Sequence, residues 1–121
     1  IMNTKILGGH GEDLAAEYLK KHGYAILARN FRVKMGEIDL VARHKDCICF
    51  IEVKTRRSYD APQEAVSWRK QHKLTRVAQA YLKQNHKDVD VRSRFDVIAI
   101  EENGEGQARV EVIQNAFDAV L

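Results

Sequence analysis

The chain has 121 residues, 45% of them hydrophobic and 31% charged, which fits one compact soluble domain over residues 1–121. No run of about 18 apolar residues occurs, and no basic-then-apolar leader, so neither membrane insertion nor secretion is expected and the cytoplasm is the expected compartment. A formal net charge of +3 excludes a strongly basic or acidic protein but says little about partners until its distribution is considered.

Residues 11–22 read as a helix. Leu14, Ala15, Tyr18 and Leu19 form one apolar stripe, and Gly23 supplies the stop. Glu12 lies about 90° around the helix from the centre of that stripe, at the edge of the core. Tyr24–Phe31 follows as a strand. Residues Glu37–Lys54 then form a hairpin; with Lys45-Asp46 as a two-residue turn, position i faces position 91 − i. Cys47 and Cys49 are neighbours on one strand face, poor geometry for a mutual disulfide, and read as small buried hydrophobes. Residues 55–66 hold the only proline and no period, which predicts a loop. A helix from Ser67 to Asn85 carries Leu74, Val77, Ala78, Tyr81 and Leu82 on one face. Trp68 and Tyr81 fall at helical spacing and are expected in the core rather than as base-stacking platforms. Arg94–Glu101 and Ala108–Asn115 make a second hairpin around Asn103-Gly104. A strand-rich sheet flanked by two helices results, an α/β sandwich.

The first hairpin carries charge where a buried hairpin should have none. Ile38, Leu40 and Ala42 on its first strand and Cys49, Ile51 and Val53 on its second make one apolar face. The opposite face holds Glu37, Asp39, Glu52 and Lys54. The register sets Asp39 across from Glu52 and Glu37 across from Lys54. Carboxylates facing each other with β-carbons roughly 4.5–5.5 Å apart repel, and a bound cation removes that cost. Oxygen ligands in this number suit a hard ion, Mg²⁺ or Mn²⁺. Lys54, within about 7 Å of strand rise from Glu52, is placed to hold or deprotonate water or to neutralise phosphate charge. The competing reading is a solvated hairpin face with its charges paired across it. Val41, Ile48 and Phe50 share that face and argue that it is covered further along.

Asp39 followed by Glu52-Val53-Lys54 resembles the motif of the PD-(D/E)xK nuclease superfamily, with Ile38 where the name has proline. A wider string is more specific: Gly11-Glu12, Asn30-Phe31-Arg32, Gly36-Glu37-Ile38-Asp39-Leu40, Phe50 through Arg56, Glu64-Ala65-Val66, Arg94-Phe95-Asp96-Val97 and Asn115-Ala116-Phe117. It resembles the YraN-like family of small bacterial proteins, regarded as distant relatives of archaeal Holliday-junction resolvases, across nearly the whole chain. The resemblance implies a restriction-endonuclease-like core, a central mixed β-sheet flanked by α-helices, with a metal-dependent phosphodiesterase site. It assigns Asp39, Glu52 and the Val53 carbonyl as metal ligands, Lys54 as the catalytic lysine and Glu12 as a helical acid of the site. Related resolvases are dimers, so a homodimer is one assembly the resemblance allows. Fold alone does not guarantee catalysis.

From Ala65 to Lys87 the chain holds Arg69, Lys70, Lys73, Arg76, Lys83 and Lys87 and no acid. Arg69, Lys70, Lys73 and Arg76 lie off the apolar stripe, with Arg56 and Arg57 just upstream, a pattern expected of a surface that follows nucleic-acid phosphates. An ordinary solvated face is the alternative. Asp96 is expected either at the site or in a salt bridge to Arg94 or Arg32. The sequence thus points to a Mg²⁺- or Mn²⁺-dependent nuclease acting on a DNA structure such as a junction, flap or single-stranded end, because no element looks built to read base edges. A non-catalytic nucleic-acid-binding repair accessory of the same fold, and a protein-interaction module, are the other two readings.

Overall fold

A computed structural model describes residues 2–3, 10–57, 66–86 and 90–121. In chain order the elements are β1 (Met2–Asn3), α1 (His10–Lys21), β2 (Tyr24–Val33), β3 (Gly36–His44), β4 (Cys47–Arg57), α2 (Trp68–Asn85), β5 (Arg92–Glu102) and β6 (Gln107–Phe117). They build one sheet in the order β1-β6-β5-β4-β3-β2. Its β4–β5 pair is parallel and the other pairs are antiparallel, so the sheet is mixed. A helix lies on each face, the architecture of an α/β fold and consistent with a restriction-endonuclease-like core. No helix among the described residues is long and apolar enough to cross a membrane.

Two apolar clusters divide along the strand pleat. Cys49 and Ile51 pack with Leu14, Ala15 and Leu19 of α1, whereas Ile48 and Phe50 pack with Leu74, Val77 and Tyr81 of α2, as alternation along β4 requires. The β3–β4 ladder runs from His44↔Cys47 to Leu40↔Ile51, each pair summing to 91 as the two-residue turn predicts. Ser67 caps α2, accepting the Lys70 N–H at 3.2 Å.

Four expectations need correction. Ile38 packs under α2 with Val41, while Leu40 packs under α1; residues two apart on a regular strand would share a face, so β3 rotates at Asp39. Across from it β2 is rotated as well: Ala28 and Phe31, three apart, both pack under α2, and Asn30 between them has φ 53, a conformation asparagine tolerates better than most residues. The β3–β4 ladder ends at Leu40↔Ile51, so the expected pairings of Asp39 with Glu52 and of Glu37 with Lys54 do not form, and Glu37 instead pairs with Arg32 of β2. Residues 55–57 are not loop, because β4 continues to Arg57 in parallel register with β5 as far as Glu102; residues 58–65 lie outside the described set. Trp68 is not core. It is 68% exposed, since it occupies the first helical position, six residues before Leu74, and at about 100° per residue falls off the face that the stripe buries.

Candidate metal and nucleic-acid site

The rotation at Asn30 and Asp39 brings acids from two elements together. Glu12 from the start of α1, with Glu37 and Asp39 from β3, place one carboxylate oxygen each within 4.8 Å of one another. Oxygens bound to one Mg²⁺ ion lie about 3.0 Å apart when adjacent and about 4.2 Å apart when opposite, at a bond length of about 2.1 Å, so these three must draw together by up to roughly 2 Å to share one. Asn30, with its amide nitrogen turned toward Glu12, donates to both of that carboxylate's oxygens at 3.2 Å. Asp39 Oδ2 accepts the Val53 N–H at 2.8 Å. Its side chain thereby holds a β4 backbone donor at the point where the β3–β4 ladder ends.

Electrostatics mark the group as strained without a cation. Burial, then the negative charge of Asp39 and the hydrogen bond with it, push the Glu12 carboxyl above its ordinary value. Burial is also the main cause that raises Asp39; the Val53 N–H opposes it, and the Glu52 charge adds to it. Carboxylates that resist ionisation near one another are where a hard cation binds with most relief. The donors are all oxygens, so the residues fit Mg²⁺ or Mn²⁺ better than zinc.

Glu52, only 8% exposed on β4, is held by Lys70 of α2, Nζ to Oε1 at 2.6 Å. Lys70, predicted as a phosphate contact, is therefore also the counter-ion of a predicted metal ligand. Glu37 is likewise engaged, accepting from Arg32 Nε at 2.7 Å and from its Nη2. Lys54 and Val53 are half-buried on β4 beyond Glu52. Arg69, Lys70, Lys73 and Arg76 are all exposed on α2. Gly36, Glu37, Ser67, Arg69, Lys70 and Lys73 line a cleft of about 260 Å³, so three of the four cations share a cleft with Glu37, one of the three carboxylates. Arg76 does not line it. Arg56 ties β4 to β5 through Glu101 at 2.7 Å, and Arg57 is exposed at the end of β4.

Asp96 resolves in favour of the salt bridge with Arg94. Fully buried, it accepts from Arg94 Nε at 3.0 and 3.1 Å, from Tyr24 Oη at 3.3 Å and from the Asn115 N–H at 2.9 Å. The Arg94-Phe95-Asp96 and Asn115-Ala116-Phe117 strings thus lock β5 to β6, with Phe95 and Phe117 stacked at 4.8 Å. Asn30 and Glu37 are the two site residues to which sequence reasoning gave no role. Glu37 lay on the predicted charged face, and Asn30 lay in a quoted string; what hid them was the strand rotation.

The family model described as uncharacterised protein family UPF0102 matches residues 11–100, a span from the start of α1 into β5 that contains every candidate site residue. The chain belongs to this family. A UPF0102 protein of Syntrophotalea carbinolica is 50% identical over 114 residues, covering 93% of this chain and 91% of the relative. One from Trichlorobacter lovleyi is 48% identical, covering 95% and 92%, and one from Caldicellulosiruptor saccharolyticus is 45% identical, covering 96% and 100%. Family membership agrees with the YraN-like resemblance read from the sequence.

Proposed function

We infer that the protein is a divalent-cation-dependent nuclease that hydrolyses phosphodiester bonds in DNA structures departing from regular duplex. The observation that carries this reading is the convergence of the Glu12, Glu37 and Asp39 carboxylates beside the Arg69, Lys70 and Lys73 cleft. Anionic ligands for a cation adjoin cationic ligands for a phosphate. Helix starts favour acids, yet the first turn of α2 holds none, an arrangement that disfavours the isolated helix and favours a bound anion.

Glu12, Glu37 and Asp39 are the residues that would hold Mg²⁺ or Mn²⁺, with Glu52 and the Val53 carbonyl the ligands implied by the superfamily resemblance. The ion supplies Lewis acidity, neutralising charge on the phosphoryl oxygens and acidifying water. Lys54, two residues beyond Glu52 on β4, takes the role of catalytic lysine, stabilising charge as water adds to phosphorus and the bridging P–O bond breaks. Arg69 and Lys73 orient the backbone from across the cleft.

The test is a cleavage screen of purified protein on single-stranded, duplex, flap and junction DNA with Mg²⁺, Mn²⁺ or EDTA. Cleavage with metal alone, lost in Asp39→Asn, is the expected result. An Asp39→Asn protein cutting at the wild-type rate overturns the site. The second reading, a DNA-binding accessory without catalysis, draws on the Lys70–Glu52 ion pair, which occupies one implied ligand; salt-dependent binding with no cleavage of any substrate is its signature.

A further inference from the structure

We propose that Trp68 is a stacking platform for an unpaired nucleobase, which makes single-stranded DNA segments, at flaps, ends or open junctions, the substrate class of this site. The proposal rests on the nuclease reading above and narrows it. Trp68 is 68% exposed, the largest exposed hydrophobic side chain among the described residues. An indole left in water offers a large flat apolar face whose burial by a ligand would be favourable. It does not stand alone, because His72, one turn on, lies nearly parallel to it with ring centroids 5.7 Å apart and 13° between planes. The indole is thereby flanked by a second flat ring.

What surrounds it decides the occupant. Ser67 and Arg69, its chain neighbours, line the cleft with Lys70, Lys73 and Glu37. The whole helix from Trp68 to Asn85 contains no acid and carries Arg69, Lys70, Lys73, Arg76 and Lys83. A flat apolar ring at the start of an acid-free, cationic helix matches a nucleotide, whose base offers a π-face and whose phosphate offers the charge. An apolar protein partner would leave those cations unmatched. Paired bases are stacked on both faces inside a duplex and cannot reach an indole, so the platform selects for unpaired ones.

The chain contains one tryptophan and four tyrosines, so fluorescence excited at the red edge, beyond tyrosine absorption, reports this side chain alone. Titration in EDTA, which needs no catalysis, with an oligo-dT and with a blunt duplex of equal length is expected to quench the emission with the single strand and leave it nearly unchanged with the duplex. In anisotropy titrations with labelled oligonucleotides, Trp68→Ala is expected to weaken single-strand binding roughly 5- to 150-fold, the range for one lost base stack, with duplex affinity unchanged and Trp68→Phe recovering most of the loss. Equal quenching by duplex, single-strand binding without quenching, or a concentration-dependent emission shift in the absence of DNA, which marks a protein interface, would each overturn the proposal. The outcomes separate it from the nuclease reading: metal-dependent cleavage with Trp68→Ala indistinguishable from wild type defeats the platform alone, whereas quenching without cleavage defeats catalysis alone.

Discussion

Replacing Lys70 by methionine keeps the aliphatic stem of the side chain and removes the charge that holds Glu52. An exposed ion pair is worth about 0–1 kcal/mol, while breaking a buried one by removing one partner costs about 3–5 kcal/mol. This pair lies between, with Glu52 8% and Lys70 50% exposed, so a cost of about 2 kcal/mol follows in metal-free buffer. For 121 residues the unfolding entropy is roughly 0.25 kcal/mol/K at about 2.1 cal/mol/K per residue, so the melting temperature should fall by about 8 °C. Glu52 sits beside Asp39, and the freed carboxylate becomes available to the same cation. The deficit in EDTA should therefore shrink as Mn²⁺ is added, because a ligand selective for the folded state stabilises it. The assay is a calorimetric scan of wild type, Lys70→Met, Glu52→Gln and the double variant, each in EDTA and in millimolar Mn²⁺. In the Glu52→Gln background Lys70→Met should cost little, since no buried charge is left behind. A Lys70→Met deficit that is equally large in that background would refute the reasoning, as would a wild-type melting temperature for Lys70→Met in EDTA.

Asp39→Asn should abolish cleavage while melting in EDTA at or above wild type, because the neutral side chain removes repulsion within the carboxylate group; a fall of several degrees in the scan would mark Asp39 as structural. Glu12 and Asp39 have raised carboxyl pKa values, so the folded protein binds more protons than the unfolded chain between the ordinary carboxylate range and those raised values. Metal-free stability should then rise as pH falls through that window, and chemical denaturation of Asp39→Asn at several pH values should show a smaller rise. If Lys73 and Arg76 contact phosphates, their joint replacement by alanine should flatten the plot of log affinity against log salt by up to about 2 on duplex DNA; an unchanged slope in anisotropy would leave that face as solvated surface. Asp96→Ala should cost about 3–5 kcal/mol, since Arg94 stays partly buried without its counter-charge, and a near-native urea midpoint would show that the β5–β6 lock contributes little.

The parts of this molecule that could be read from sequence are those governed by local rules. The 91 − i register followed from a two-residue turn at Lys45-Asp46, and Cys47, Cys49 and Ile51 lie buried as strand alternation requires. Cys49, with its thiol pushed up to about 12 chiefly by burial, behaves as the small hydrophobe its neighbours implied. Alternation failed at Ile38 because it presumes an unbroken pleat, and Asn30 in the left-handed region is a backbone event that no hydrophobic pattern records. That break belongs to the site. With a regular pleat through Asp39, Ile38 would follow Leu40 under α1, and the residue that meets Glu12 and Glu37 would be aimed differently. Natural chains break local rules mainly where function requires it, and here two of the corrected expectations, at Ile38 and Trp68, and the acid-free first turn of α2 are neighbours in sequence or space of Gly36, Glu37 and Lys70 at one cleft. The Lys70–Glu52 pair was beyond sequence reasoning for a different reason. Eighteen residues separate the partners, and only the crossing of α2 over the sheet, which positions the start of the helix above β4, converts a predicted phosphate contact into the counter-ion of a predicted metal ligand. Under the proposed nuclease reading a lysine so placed would serve both roles in turn, and metal binding and DNA binding would be coupled through one side chain.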